Sequence, residues 1–572
     1  MPSYVNLATL FCFVASCFLP WLAGIARASD PRILSVDGSS RATGYAEANK
    51  IITFDGKTHV SWLDSTTQDG FEVKIRTLDH ATSQWSPTYT IGEAEDNHGG
   101  PALTIDSEGY LHVAYYPHHE PMRYRRSQQP NDTSSWTPVT HIADNLTYPT
   151  MVTGPDNTLY LTARNSTGSS WSNDLFTLSP GGSWSSAKPL IEASDTSYFH
   201  FQDALAWGPD HQTLHMSVRM YGEDPRWGYK IGYLQSTDFG DTWQHYDGTP
   251  VTLPAFESTL DTVEATPPSQ RAQYENSSSL RGGSIAVDNN NVPYILYNTL
   301  QDDGSLPRQA WIATPDGAGG WSKTLLNDKI DILPDNGWGL GTPGGLTITP
   351  DGRMTMVLTM ADDSSQGSFW GTTSSEVVWV ESNDGGQTFT SQIISNVDPS
   401  TPNWLPSIER PTGFNELTTA DPAVVYTSGE RGSSNTAIVS NEVIFWAEGG
   451  NFGWNGVLGD VNQDGFFTGN GHGTPDRDDV SAFIDAWGSG ELPGVFGTRA
   501  SYMRGDLNFD GKTDIWDAVL MRSYLIDNSM PTERLAVLFS PVPEPSAFPV
   551  VLIGLGTLAG SMGRTRWCHT DE

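Results

Sequence analysis

The feature that most constrains the fold of this chain is a β-hairpin pattern that recurs along its first 450 residues. Each unit has two short runs rich in β-branched and aromatic residues, joined by a turn of Asp, Asn, Gly or Pro, which favours paired strands. Six clear units lie at 51–62, 102–116, 150–164, 204–219, 284–297 and 346–358, and a weaker seventh lies at 423 and 441–447. Such repeats are typical of propeller blades, whose strand edges are protected by ring closure. We therefore predict an all-β, seven-bladed β-propeller over residues 30–450, closed by pairing of 33–36 with 443–446.

A second repeated pattern lies in the turns between strands. It reads Ser236, Asp238, Gly240, Thr242, Trp243 and again Ser382, Asp384, Gly386, Thr388, Phe389. This is the Asp-box of BNR repeats, in which the carboxylate accepts backbone N–H groups of the turn and the aromatic ring packs between strands. We predict that Asp238 and Asp384 are structural and not catalytic.

Four polar residues lie near the open ends of two successive hairpins. His98 and His118 flank the turn at 106–109, and Tyr148 and Arg164 flank the turn at 154–157. Residues opposed across an antiparallel pair have Cβ atoms about 5 Å apart, so regular hairpins place each pair in contact. We predict that the four meet at the central channel, where propellers bind ligands.

Charge and cysteine content exclude several functions. The net charge is −36, which argues against nucleic-acid binding because a phosphate backbone requires a basic face. A polyanionic substrate therefore requires a local basic site. The three cysteines, Cys12, Cys17 and Cys568, lie in the terminal segments, so a chain trimmed at both ends has no disulfide, thiolate metal site or cysteine nucleophile.

The N-terminal segment is typical of a secretory signal. An apolar run from Leu7 to Ile25 precedes Ala26, Arg27 and Ala28, an Ala-x-Ala cleavage pattern. We predict a signal peptide at 1–28 and export of the protein.

Several segments resemble the BNR-type propeller family that contains the ulvan lyases. The resemblance rests on 96–101, 111–113, 116–124, the Tyr148–Pro149 pair and Arg164, and it extends over about residues 40–450. It implies that His98 and Tyr148 share the proton transfers, and that His118 and Arg164 hold and neutralise a uronate carboxylate. The division into base and acid stays open. His119 follows His118, so either ring is a candidate, and we favour His118.

The implied chemistry explains these residue types. Lytic cleavage removes the proton α to the uronate carboxylate, and a cation on that carboxylate stabilises the developing enolate. Arg164 offers a charged bidentate fork, and nearby positive charge is expected to lower the pKa of Tyr148 enough for it to act as base. His98 then protonates the leaving oxygen. Further candidate substrate contacts are Asn97, His119, Arg123, His200, Arg219 and Arg281. We interpret His112 as a packing residue.

A second, smaller module is predicted at 456–530. Its second loop places calcium-ligand types at the required spacing: Asp506, Asn508, Asp510, Lys512 through its carbonyl, Asp514 and Asp517. Its first loop repeats the opening with Asp460, Asn462 and Asp464, followed after an insertion by Asp479. Helical patterns follow at 480–487 and 518–526. We expect calcium here, and no organic cofactor in the protein.

Two further resemblances concern location and partners. The paired half EF-hands resemble a type I dockerin, which implies a cohesin-type scaffold as partner; a domain that binds calcium only for stability is the alternative. Residues 541–567 contain Val542, Pro543, Glu544, Pro545, an apolar run and then Arg564 and Arg566. They resemble a PEP-CTERM sorting signal, which implies transient membrane contact and delivery to the cell surface or extracellular matrix; a permanent membrane anchor is the alternative.

The sequence therefore predicts an exported polysaccharide lyase that cleaves an acidic, uronate-containing and sulfated, ulvan-like glycan by β-elimination. The alternatives are a sialidase-like glycoside hydrolase and a non-catalytic glycan-binding protein of the cell surface. The hydrolase is less favoured because three spaced carboxylate-binding arginines and a clear acidic pair are not evident in the sequence.

Overall fold

The computed structural model describes residues 32–81, 84–166, 170–194, 198–222, 230–266, 280–334, 337–364, 369–395, 401–417, 422–447, 458–462, 466–487, 502–507 and 513–539. The predicted signal peptide, the predicted sorting segment and all three cysteines lie outside the described residues. So do Asp464, Asn508, Asp510 and Lys512 of the predicted calcium loops.

Most of the described chain is β-structure, as the hairpin pattern predicts. The strands are β1 (Arg32–Gly38), β2 (Ile51–Phe54), β3 (Lys57–Thr66), β4 (Gly70–Asp79), β5 (Gln84–Trp85), β6 (Tyr89–Ala94), β7 (Ala102–Ile105), β8 (Leu111–Tyr115), β9 (Arg123–Arg126), β10 (Thr140–His141), β11 (Leu146–Thr153), β12 (Leu159–Asn165), β13 (Ser172–Leu178), β14 (Lys188–Glu192), β15 (Phe199–Trp207), β16 (Leu214–Gly222), β17 (Lys230–Ser236), β18 (Trp243–Gln244), β19 (Pro250–Val251), β20 (Asp261–Ala265), β21 (Arg281–Val287), β22 (Pro293–Thr299), β23 (Gln309–Pro315), β24 (Trp321–Leu325), β25 (Trp338–Ile348), β26 (Met354–Asp362), β27 (Glu376–Ser382), β28 (Thr390–Ile393), β29 (Asn403–Ile408), β30 (Val424–Ser428) and β31 (Asn441–Trp446). Two helices follow, α1 (Asp479–Ala486) and α2 (Ile515–Asp527), and then a 3₁₀ helix (Glu533–Phe539).

Within the described residues the strands form six antiparallel sheets. Four of them have four strands each and run β7–β10, β11–β14, β21–β24 and β25–β28, and β15–β20 form a six-stranded sheet. The remaining sheet has nine strands, because the group β29, β30, β31 and β1 joins the group β2–β6. That junction rests on the pairing of Gly38 in β1 with Asp64 in β3. The prediction of seven blades stays a prediction.

The two ends of the all-β region pair with each other, as predicted. Ile33 of β1 lies opposite Ile444 of β31, and Ser35 lies opposite Val443. An N-terminal strand therefore completes the sheet formed by the last strands, which covers an edge that would otherwise be open for pairing.

Apolar layers between successive sheets form the core. Val152 and Leu190 of the β11–β14 sheet pack with Leu205 and Met216 of the next sheet. Alternation along each strand sends apolar side chains to both faces, so each sheet is buried against two neighbours. Burial of such side chains contributes about 25 cal/mol per Å² of apolar surface and fixes the relative position of the sheets.

The Asp-box aspartates are structural, as predicted. Asp238 accepts hydrogen bonds from the backbone N–H and the hydroxyl of Thr242 at 2.8 and 2.6 Å. Asp384 accepts the same pair from Thr388 at 2.9 and 2.6 Å. The following Trp243 is buried in the core.

The C-terminal module has its own apolar core, formed by residues that include Val480, Phe483, Met521 and Leu525. Its helices lie where the sequence predicts them. The insertion before α1 folds around Asp478, whose carboxylate accepts backbone N–H groups of Asn470, Gly471, Gly473 and Ser481. Among the described helices, none has the length and apolar character needed to cross a bilayer.

Candidate active site

The two histidines predicted from the first hairpin lie in contact. The β7–β8 ladder pairs Ala102 with Ala114, and His98 and His118 lie beyond its end. Their rings are stacked with centroids 3.9 Å apart. The register inferred from the turn therefore holds, although the two residues meet through irregular segments that extend the hairpin.

The second hairpin departs from a regular ladder at Tyr148. Thr147 pairs with Arg164 and Thr150 with Thr162, so a bulge contains Tyr148 and Pro149. Tyr148 has a φ of 59°, a left-handed conformation that is unfavourable for a bulky residue. The bulge aims the phenol toward the histidines: the Tyr148 ring centroid lies 5.7 Å from that of His98 and 4.4 Å from that of His200.

Asp96 holds both histidines, a function that we did not predict for it. Its Oδ1 lies 2.9 Å from Nδ1 of His98, and its Oδ2 lies 2.8 Å from Nδ1 of His118. Burial opposes ionisation of Asp96, but the hydrogen bonds from His118 and His98 outweigh that effect and hold its pKa below the usual range. A carboxylate only accepts, so both imidazoles carry their hydrogen on Nδ1.

Arg41 fixes which nitrogen of His98 carries the lone pair. Its NH1 lies 3.1 Å from Nε2 of His98, and because a guanidinium has only donors, that nitrogen must carry the lone pair. Burial, together with the positive charge of Arg41, lowers the pKa of His98 to about 4 against the opposing effect of Asp96. His98 is therefore a neutral imidazole in the cavity lining, and its Nε2 accepts a hydrogen bond from Arg41.

The structure distinguishes His118 from its neighbour. His119 has a φ of 67°, and its ring nitrogens contact Ser166 at 2.8 Å and Arg164 at 3.2 Å. His118 stacks on His98 and shares Asp96 with it. The preference for His118 over His119 as the substrate contact stays a prediction, because both rings are held by neighbouring side chains and neither lines the cavity beside Tyr148.

Arg164 is enclosed, contrary to the expectation of an open guanidinium fork. It is fully buried, and it donates to the Tyr198 hydroxyl at 2.7 Å and to the Thr147 hydroxyl at 3.1 Å. Its guanidinium carbon lies 4.8 Å from the Tyr148 ring centroid and 5.2 Å from that of Trp171. In this arrangement Arg164 supports Tyr148 from behind instead of presenting a free fork to a carboxylate.

A cavity of about 230 Å³ opens beside these residues. It is lined by Arg41, Tyr45, His98, Tyr148, Tyr198, His200, Gln202, Arg219, Tyr221, Arg281, Trp370 and Arg431. Four of these residues are arginines and, within the described part of the chain, none is acidic. A protein with a net charge of −36 thus contains the local basic site that a polyanionic substrate requires.

The acid–base properties of Tyr148 differ from the expectation. Burial raises its pKa well above the ordinary value, and the charges of Arg164 and Arg41 only partly oppose that effect. The expected lowering of its pKa by positive charge is therefore wrong for the protein without substrate, because desolvation outweighs the attraction. Tyr148 is a neutral phenol, which suits a proton donor.

The remaining predicted contacts divide into two groups. His200, Arg219 and Arg281 line the cavity. Asn97 does not; it is buried and donates to the backbone oxygen of Asn435 at 2.8 Å. Arg123 lies over the Tyr116 ring at 3.7 Å, and it is also absent from the lining.

The sequence analysis missed seven lining residues: Arg41, Tyr45, Tyr198, Gln202, Tyr221, Trp370 and Arg431. Most of them lie in connections between strands, where no periodic pattern marks them. Little in the sequence marks them. Because basic residues are scarce in this chain, however, each arginine is a candidate for the local basic site. The grouping depends on how the sheets are arranged around the cavity.

The buried acid–imidazole group also has donor atoms suited to a cation. One ligand atom each of Asp96, His98 and His118 lies within 4.8 Å of the others. The hydrogen bonds between the carboxylate and both Nδ1 atoms account for this convergence.

Comparisons with known proteins identify a repeat family and two similar enzymes. A profile for a BNR repeat-containing family member matches residues 57–329. An ulvan lyase of Alteromonas sp. (strain LOR) is 28% identical over 132 residues, and Ulvan Lyase-PL25 of Pseudoalteromonas sp. (strain PLSV) is 27% identical over the same length. Each match covers 19% of this chain and 26% of the relative, so it spans about a quarter of either relative.

Solved structures extend the similarity to the fold. A PL25 ulvan lyase superposes with a TM-score of 0.53 at 15% identity, covering 74% of this chain and 96% of that chain. The same type of enzyme bound to -[GlcA(1-4)Rha3S]- gives a TM-score of 0.54 at 15% identity and covers 73% and 95%. The chain therefore contains a region of the BNR repeat type, is homologous to ulvan lyases, and shares the fold of the PL25 ulvan lyases.

Proposed function

We propose that this protein is a polysaccharide lyase that cleaves a uronate-containing, sulfated, ulvan-like glycan by β-elimination. The observation that carries the proposal is the contact between a neutral phenol, Tyr148, and a neutral imidazole, His98, at the wall of a cavity whose described lining contains four arginines and no acidic residue. The ulvan oligosaccharide bound to a protein of the same fold supports an acidic polysaccharide as substrate.

In the proposed reaction, Nε2 of His98 removes the proton from C5 of the uronate, α to its carboxylate. The electron pair forms the C4=C5 double bond, and the bond between C4 and the leaving oxygen breaks. Tyr148 donates its hydroxyl proton to that oxygen. The substrate carboxylate draws Arg41 away from His98, which frees the lone pair, and the added negative charge raises the pKa of the imidazole.

The carboxylate interacts with the cavity cations in this mechanism. Arg219 lies in the same lining as Tyr148 and His200, and its charge stabilises the enolate that develops on the carboxylate. Burial and the neighbouring Arg219 charge lower the pKa of His200 well below its ordinary value, so this residue contributes a neutral imidazole and not a cation. Arg164 acts through Tyr148, because its guanidinium is occupied by scaffold contacts. His118 holds its position on Asp96 and stacks on His98.

The absence of acidic groups from the described lining favours elimination over hydrolysis, because glycoside hydrolases typically require two carboxyl groups beside the scissile bond. The test is incubation of the protein with ulvan while the ultraviolet absorbance of an unsaturated uronate and the number of reducing ends are followed together. Both signals should rise in parallel. Reducing ends without the absorbance would show a hydrolase, and binding without either signal would show a glycan-binding protein.

We further propose seven blades for the all-β region, with the nine-stranded sheet counted as two blades that share the pairing of Gly38 with Asp64. The group β29, β30, β31 and β1 is then one blade, and β2–β6 form the next. The count can be checked by an experimental structure. Six blades with a continuous nine-stranded sheet would contradict it.

We also propose that the small module binds calcium. Asp460, Asp479, Asp506 and Asp517 are buried, and buried carboxylates require compensation by hydrogen bonds or a cation. Asp479 accepts the backbone N–H groups of Asn462 and Thr468, and Asp517 accepts those of Leu507 and Asp514. The two loops are thus closed in the same way, which fits a duplicated calcium loop.

Dockerin-type binding to a cohesin scaffold, export through residues 1–28 and surface delivery through residues 541–567 complete the proposal. They rest on sequence resemblance. Fractionation of the source cells with an antibody to the propeller would test export, and finding the full-length chain in the cytosol would contradict it.

A further inference from the structure

We propose that Trp207 and Phe239 form a binding site for an uncharged glycan on the face of the all-β region opposite to the arginine-lined cavity. The site takes a sugar ring by stacking its C–H face on the two aromatic rings. The inference does not depend on the reaction proposed for the cavity. It assigns a second, non-catalytic binding function to the same region of the chain.

The two rings lie far from the cavity. His200, near the start of β15, lines the cavity, and Trp207 is the last residue of the same strand. A strand rises about 3.3 Å per residue, so the two positions are about 23 Å apart. Trp207 pairs with Leu214 across the closed end of the β15–β16 hairpin. The rings therefore belong to the face of the hairpin turns, whereas the cavity lies at the open ends.

Phe239 has a backbone conformation that a bulky residue rarely adopts. Its φ is 60°, in the left-handed region that favours glycine. The second Asp-box has the same turn hydrogen bonds, and the residue after its aspartate is Gly385, with a φ of 71°. Phe239 thus carries backbone strain that a glycine would remove, and strain of this kind is typical of functional sites.

The strained residue places its ring in solvent beside a second ring. Phe239 is 42% exposed. Its ring centroid lies 6.0 Å from that of Trp207, and the two planes are inclined by 48°. Trp207 is half-buried and is held by an edge-to-face contact with Tyr160 at 5.3 Å. The two rings therefore present adjoining aromatic surfaces on which the apolar side of a sugar can stack.

The Asp-box turn fixes the position of the exposed ring. The backbone N–H of Gly240 donates to the Ser236 hydroxyl at 2.8 Å. Nζ of Lys188 donates to the backbone oxygens of Gly240 and Asp241 at 2.8 and 2.7 Å. A ring on a turn held in this way loses little conformational freedom when a ligand binds.

The charges around the rings select the class of glycan. Burial, together with the charges of Asp156 and Asp241, raises the pKa of Tyr160 to about 12, and both aspartates are exposed. The cation of this turn, Lys188, is occupied by two backbone oxygens. Carboxylates accept hydrogen bonds from sugar hydroxyl groups and repel sulfates and uronates. An uncharged glycan therefore suits this face, whereas the basic cavity suits an acidic one.

The test is affinity electrophoresis of the full chain in native gels that contain mixed-linkage β-glucan, xyloglucan, galactomannan or ulvan, of which only ulvan is charged. All proteins carry Tyr148→Phe so that ulvan stays intact. Phe239→Gly is the test variant, because it introduces the residue of the second Asp-box and removes the ring. Phe239→Tyr is the matched control, because it keeps both the ring and the strained backbone.

We expect at least one of the uncharged polymers to retard the background protein and Phe239→Tyr equally, and Phe239→Gly to bind that polymer about tenfold more weakly. Phe239→Gly should also raise the Tm of the all-β region by about 1–2 °C, because glycine relieves the strain. A variant that is more stable and binds less has not lost binding through unfolding. Retardation by ulvan should be the same for all three proteins.

Absence of retardation by every uncharged polymer would overturn the proposal, as would equal retardation of Phe239→Gly and the background protein. A Phe239→Gly variant that is retarded less by ulvan alone would also overturn it, because the ligand would then be acidic. Absence of unsaturated product from ulvan with the Tyr148 form would refute the lyase proposal and leave this site standing.

Discussion

Arg41 donates to Nε2 of His98 across 3.1 Å, and this contact makes a buried histidine at the cavity wall an obligatory acceptor. The opposite nitrogen of the same ring lies 2.9 Å from the carboxylate of Asp96. The imidazole is thereby neutral and fixed in one tautomer before any substrate arrives. Such preorganisation is what a general base requires.

Replacement of Asp96 by Asn tests this arrangement. An amide places an N–H₂ group opposite one of the two Nδ1 atoms, which forces that imidazole into the other tautomer. We expect kcat to fall by about 10- to 100-fold with a smaller change in KM, and the pH dependence of kcat to shift. The matched control is Asp106→Asn, because Asp106 contacts His112 at 3.1 Å away from the cavity; it should lower Tm and leave kcat nearly unchanged. Equal kcat losses in both variants would contradict the positioning role.

Tyr148→Phe removes the proposed proton donor and keeps the ring. We expect kcat on ulvan to fall by at least about 100-fold, with binding retained, because the ring contacts with His98 and His200 are apolar. Tyr124→Phe is a suitable control, since its hydroxyl contacts His112 at 2.6 Å. A Tyr148→Phe variant with wild-type turnover would exclude Tyr148 as the acid.

Arg164→Lys tests whether Arg164 supports Tyr148 or binds the substrate carboxylate. A lysine cannot reproduce both the hydrogen bond to Tyr198 and that to Thr147, so we expect a loss of about 2–3 kcal/mol in the free energy of unfolding and a lower kcat. Denaturant unfolding and kinetics measure the two effects. A raised KM with unchanged stability would instead indicate direct contact with the substrate carboxylate, as the sequence resemblance implies.

The buried Asp203 predicts a pH-dependent stability. Burial raises its pKa to about 7, despite hydrogen bonds from Thr162 and Asn173. Between the unfolded pKa of about 4 and pH 7, the native state binds a proton that the unfolded state does not, so stability falls as pH rises through this window. From pH 5.5 to 8 this group alone costs about 2 kcal/mol. Asp203→Asn should remove that pH-dependent component. The free energy of unfolding of the wild type, relative to that of the variant, should therefore be lower at pH 8 than at pH 5.5. A difference independent of pH would contradict it.

Removal of calcium should act on the small module alone. We expect EGTA to lower the unfolding temperature of a separate calorimetric transition and to leave the transition of the all-β region unchanged, because metal binding to preformed carboxylates is linked to folding. Asp506→Ala should lower the same transition and make it insensitive to EGTA. Insensitivity of the wild-type protein to EGTA would refute the calcium proposal.

Local patterns predicted much of this architecture. Each predicted hairpin in 51–447 is observed, and the pairing of β1 with β31 was predicted because a ring of repeated hairpins brings its two ends together. The Asp-box turns were predicted from residue type because their hydrogen bonds close within a few residues. The meeting of His98 with His118 was predicted because one hairpin register relates them.

The structure differs from the predictions where the outcome depends on contacts between segments that are distant in the chain. The bulge at Tyr148 shifts the register by one residue relative to Arg164, and neighbouring aromatic rings then enclose the guanidinium. Desolvation also reverses the expected direction of the Tyr148 pKa. None of these effects is encoded in the spacing of residues along one hairpin.

Strand period, turn residues and charge content thus specified the class of fold, the repeating unit and the need for a basic site, because those properties depend on neighbours close in the chain. Which arginines face the cavity was decided only in three dimensions: Arg41 and Arg431 come from opposite ends of the all-β region and line the same cavity as Arg281. Ring closure places residues hundreds of positions apart against one another, and burial then determines which groups stay charged, which stay neutral and which merely support their neighbours.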